Sequence, residues 1–223
     1  MRLFVHKGYL IGLIISVLVI GFLSFSDLHH LRSLGPMNTG HKNLACNECH
    51  ESADGSIRQQ IQANLSYLLG QRSAIAAFNF EFPNNKDCLD CHAREDDRHP
   101  VYRFNEPRFQ QVRNKIKPQY CVSCHKEHTG VRVSSDLEIC QYCHEEIEVK
   151  DDPLDISHAD LIKLKDWDTC LACHDFHGNH VMKTATNTKD MLEQTLIKDY
   201  FLGGKDPYSG EKTAKSKETR YEN

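Results

Sequence analysis

The apolar residues are unevenly spread along the chain. An uncharged run extends from Tyr9 to Phe25, with Arg2 and Lys7 on its N-terminal side. Counted back to Leu3, the run has the length of a helix that crosses a bilayer. Its basic flank predicts that the N-terminus stays inside. Residues 1–26 therefore read as a single-pass anchor in the inner (cytoplasmic) membrane, with all that follows in the periplasm. A cleaved signal peptide is the competing reading, but Ser24-Phe25-Ser26 is a poor small-x-small cleavage site.

A second pattern follows. Ile57, Ile61, Leu65, Leu68, Leu69, Ile75 and Phe78 recur at helical spacing between Ser56 and Phe80, which predicts one amphipathic helix with a break at Gly70. Asp190 to Leu202 predicts one more. Elsewhere the pattern supports only short helical turns and loops. The fold expected is mainly α and irregular, with a transmembrane helix ahead of a domain at 27–182. A C-terminal helix and a charged, flexible tail occupy 183–223.

Composition changes this picture. Only 39% of the 223 residues are hydrophobic, and many of those lie in the first run. What remains is too polar for an ordinary core, so apolar bulk must come from elsewhere. The ten cysteines indicate the source. They form five C-x-x-C pairs, each followed at once by histidine: Cys46/Cys49-His50, Cys88/Cys91-His92, Cys121/Cys124-His125, Cys140/Cys143-His144 and Cys170/Cys173-His174. This is the attachment pattern of c-type haem. Two thiols one turn apart can each bond a vinyl group of one porphyrin, and the next residue is then held beneath the iron. Zinc is the alternative ligand of C-x-x-C pairs, but zinc ribbons do not require histidine at the following position. Five covalent haem c groups are expected. The net charge of -4 and the lack of a basic stripe with interleaved aromatics give no support to a nucleic-acid role.

Each iron has a second axial position. Outside the motifs stand His6, His29, His30, His41, His99, His128, His158, His177 and His180. Topology excludes His6, and His29 and His30 belong to a short stalk. The candidate distal ligands are His41, His99, His128, His158, His177 and His180, with His177 and His180 competing for one place. The surplus of histidine points to six-coordinate irons of low potential. Met37 and Met182 are the methionines placed to compete.

The five motifs, and above all Cys121 to Gly130 (CVSCHKEHTG), resemble the class III multihaem cytochromes and their small relatives over roughly 41–180. The resemblance implies a haem-packed fold, bis-histidine irons and electron transfer. Class III proteins usually carry fewer haems and no anchor. A weaker likeness is to the NapC/NirT quinol dehydrogenases, whose methionine two residues after the motif histidine is replaced here by Ser52, Arg94, Glu127, Glu146 and Phe176. The pentahaem subunit of alternative complex III shares the haem count. The implied function is electron transfer from a quinol-oxidising or other membrane redox complex, with the anchor in the lipid bilayer, to a soluble periplasmic acceptor protein. The alternative is a periplasmic reductase of a nitrogen or sulfur oxyanion, with Arg98, His99 and Arg103 around one open iron. An electron carrier is favoured over an enzyme because histidine is in excess.

Overall fold

A computed structural model of the chain describes residues 2–23, 33–208, 212 and 214–217. Ser24–Ser26, the weak cleavage site of the competing reading, and the stalk histidines His29 and His30 lie outside the described residues. The chain is mainly helical and irregular, 46% helix. Among the described residues there is no strand, only isolated bridges such as Ser52 to Phe80.

The first apolar run forms a helix, α1 (Arg2–Leu23). The expectation of a membrane span, and of an inner-membrane location with a periplasmic domain, is corrected. Among the described residues no helix is long and apolar enough to cross a membrane. Charged Arg2 and Lys7 fall inside α1, within its first two turns.

The predicted amphipathic helix is α2 (Ile57–Leu68). Its start is fixed by a capping box: Ser56 Oγ accepts from Gln59 N, and Gln59 Oε1 accepts from Ser56 N at 2.8 Å. It stops before Gly70, whose φ of 71° belongs to the left-handed region. Buried Gln60 ties α2 to its surroundings. Its amide donates to the Ala53 and Gly55 carbonyls, and its Oε1 accepts from Asn79 N.

The remaining helices are short: α3 (Asn85–His92), α4 (Gln110–Ile116), α5 (Gln141–His144), α6 (His158–Leu164), α7 (Cys170–Cys173) and α8 (Gln194–Phe201). Asn84 caps α3 reciprocally with Asp87, and Ser157 caps α6. Asn85 links α3 to the turn Cys121–Ser123, donating to the Gln119 carbonyl and accepting from Cys121 N.

Little apolar side chain is buried. One cluster joins Leu137, Leu171, Ala172 and Ile197, with Phe176, Met191, Leu192 and Phe201 packed on it. It seats α8 on α7. Beyond α8, Tyr208 donates its hydroxyl to the Leu171 carbonyl, and Lys217 N donates to Cys91 O. Many other large apolar side chains, Ile61, Leu65, Phe78, Phe80 and Tyr120 among them, face one cavity of about 2970 Å³.

Candidate functional site

Each C-x-x-C-H motif is one helical turn. In three of them the histidine N–H donates to the carbonyl of the first cysteine, at 2.9 Å for His50, His125 and His174. The other two form the end of α3 and the body of α5. The turn places two thiols and one imidazole on one side of the backbone. All ten thiols are free, and all ten line the cavity with the five motif histidines.

Across that cavity each motif imidazole faces one other imidazole. The ring centroids are 6.3 Å apart for His50 and His128, 5.9 Å for His92 and His41, and 6.1 Å for His125 and His177. They are 6.1 Å apart for His144 and His99 and 6.2 Å for His174 and His158. No histidine is used twice. Two metal–imidazole bonds of about 2 Å each, end to end with half a ring beyond each nitrogen, span about 6 Å between centroids. The spacing fits one metal ion between each pair.

The Nδ1 atoms show which nitrogen faces the gap. His41 Nδ1 meets Glu127 Oε1 at 2.7 Å, His158 Nδ1 meets Asp152 at 3.0 Å, and His177 Nδ1 meets Asp97 Oδ1 at 3.1 Å. His50, His99, His125 and His128 place Nδ1 against the carbonyls of Glu81, Phe176, Arg132 and Gly35, at 3.0, 2.5, 2.9 and 3.4 Å. These seven rings are oriented through Nδ1, which leaves Nε2 for a metal. Burial lowers the pKa of His92, His99, His125 and His174 and favours the neutral imidazole that ligates. His41 is raised instead, by its hydrogen bond to Glu127. Burial opposes the Glu127 carboxylate, but that same bond prevails and lowers its pKa.

The sites are contiguous. Cys88 and Cys121 share a thiol hydrogen bond, as do Cys140 and Cys170, and this raises the pKa of Cys88 and Cys140. Motif two therefore adjoins motif three, and motif four adjoins motif five. Asp97 joins the middle: Oδ1 accepts from the backbone N of His99 at 2.9 Å as well as facing His177. The Phe176 ring lies between those histidines, with centroids 4.3 and 5.0 Å away.

His41, His99, His128, His158 and His177 each face a motif histidine. His180 does not. It is buried, with Nδ1 on Asp175 at 2.7 Å and Nε2 on Asp206 at 2.9 Å, and Tyr208 is stacked on its ring. Both nitrogens are taken, so His180 holds the C-terminal segment to the domain.

Sequence reasoning missed the residues that orient the rings. Glu127 drew notice only as a departure from methionine, and Asp97 and Asp152 drew none. Asn38 is buried. Its Oδ1 accepts from Thr129 N, Gly130 N and the Thr129 hydroxyl, and its Nδ2 donates to Lys126 O. It thereby builds the turn that carries His128, whose φ is 59°. A polar residue beside Gly35-Pro36 reads as stalk, and only the fold brings it to residue 126.

Among the described residues no three His, Cys, Asp or Glu gather as a site for a bare metal ion. Compared with known proteins, the chain matches no family model, no curated protein and no solved structure.

Proposed function

We propose that the chain is a pentahaem c-type cytochrome that carries electrons between redox proteins. The observation behind this reading is the set of five histidine pairs, each with one motif histidine at about 6 Å from one other imidazole. A bare-ion site would gather three or four ligands at one point. Opposed imidazoles with two thiols to one side suit a flat macrocycle bearing a central metal. Ligand pockets usually measure about 300–1,000 Å³. A cavity of about 2970 Å³ equals several of these merged, and its apolar walls suit porphyrin faces.

The residues that would hold the groups are the ten motif cysteines, His50 with His128, His92 with His41, His125 with His177, His144 with His99, and His174 with His158. Haem supplies a reversible one-electron couple. The chain's own part is to present neutral imidazoles, fix their planes through Nδ1, exclude water with apolar walls and bring adjacent sites together. Because every motif histidine already faces a second imidazole, carriage of electrons is better supported than reduction of an oxyanion at an open iron.

The test is the mass and spectrum of the chain produced with a haem-attachment system. Five added haems, an entirely low-spin spectrum and no response to carbon monoxide are expected. The mass of the bare chain would remove the reading, and a carbon-monoxide-binding haem would favour the reductase.

A further inference from the structure

The five pairs are alike in ligand type but differ in what their Nδ1 atoms meet. Three pairs contain a carboxylate-tied histidine: His92/His41 through Glu127, His125/His177 through Asp97, and His174/His158 through Asp152. In the other two pairs the recorded Nδ1 partners are backbone carbonyls. His50 and His128 meet Glu81 O and Gly35 O, and His99, opposite His144, meets Phe176 O.

We infer that Glu127, Asp97 and Asp152 divide the five sites into two classes of reduction potential, with motifs two, three and five low and motifs one and four higher. The inference rests on the haem reading above and adds an order to it. A carboxylate that accepts the Nδ1 proton draws it away from the ring and makes Nε2 a stronger donor. A stronger axial donor, with a negative charge behind it, stabilises ferric over ferrous iron and lowers the potential. A neutral carbonyl does this weakly, and at 3.4 Å the Gly35 carbonyl does so least.

The three carboxylates are also graded. Glu127 makes the shortest contact, 2.7 Å, and although the Asn38 backbone N–H also faces its carboxylate, its Oε2 is buried without a hydrogen-bond partner. Asp97 shares its charge with the backbone N–H of His99 and with Arg94, whose Nε lies 4.0 Å from Oδ2. Asp152 also accepts from Leu154 N and His158 N. Glu127 should therefore lower its site most. These carboxylates are positioning residues: they act on the metal through a histidine.

The test is a spectroelectrochemical titration of the holoprotein and of Glu127→Gln, Asp97→Asn and Asp152→Asn, with Glu146→Gln as an exposed control. The unmodified protein should titrate as three low-potential haems and two higher ones. Each amide variant should keep five low-spin haems while one of the three low waves moves up, furthest in Glu127→Gln, and that haem alone should change its ferric EPR signature. The control should move none. Five overlapping potentials in the unmodified protein would overturn the inference, whether or not a variant folds. So would any five-haem variant whose waves stay with the control. A colourless chain would instead remove the haem reading itself.

Discussion

Gly35 lies directly against the carbonyl of His128, where a Cβ would collide with backbone that cannot yield. In the sequence this glycine looks like a break in a stalk. In the fold it is the floor beneath a proposed iron ligand. Gly35→Ala should push His128 away from His50 and leave the other four pairs intact. The expected outcome is one haem in five that becomes high-spin and binds carbon monoxide, read from the ferrous spectrum. On the haem reading, the motif residues were legible because covalent attachment demands fixed local spacing. Their opposite ligands were legible as types, since histidine is rare enough to stand out. Glu127, Asp97 and Asn38 were not, because they act across more than fifty positions of chain and carry no local mark.

The helices were legible in proportion to their length. The apolar run of α1 and the periodic face of α2 emerged as helices, although among the described residues no helix is long and apolar enough to cross a membrane. The apolar period past Gly70 suggested more helix than exists, because the left-handed glycine turns the chain and Phe78 to Phe80 pair back towards Ser52. α8 mattered more than its pattern suggested. Ile197 is fully buried on α7, the turn that carries motif five. Ile197→Ala should cost about 2–5 kcal/mol, measured as a lower midpoint of thermal unfolding, with His174 the first motif histidine to lose its partner. The segment ahead of α8 is held by Asp155, whose carboxylate accepts from Thr188 N at 2.7 Å and from the Thr188 hydroxyl. The backbone bond from Thr188 depresses the Asp155 pKa. A depressed carboxylate stabilises the fold above its unfolded value of about 3.9 and loses that contribution as pH falls through the lower folded value. Amide exchange at Thr188 should therefore quicken below about pH 4 relative to its neighbours, and Asp155→Asn should remove that pH dependence.

At the scale of the whole molecule, the buried apolar cluster is small and many large apolar side chains face the shared cavity. On the haem reading, the macrocycles are the interior, and their removal should be felt unequally. Cys88→Ala with Cys91→Ala deletes a site that adjoins motif three, whereas Cys46 is exposed. The first double variant should lower the unfolding temperature more than Cys46→Ala with Cys49→Ala, by calorimetry on proteins that each retain four haems.

On the haem reading, the pairing also fixes an order of assembly. Each couple joins separate positions in the sequence, so each closes a loop and must wait for its later member. Those later members are His92, His128, His144, His174 and His177. A chain growing from its N-terminus can first bring His41 to His92. Motif one, although made earliest, stays half-ligated until His128 exists. Motif three is last, because its partner is not made until all five attachment motifs are complete. A nascent chain halted before residue 128 therefore holds only one finished couple.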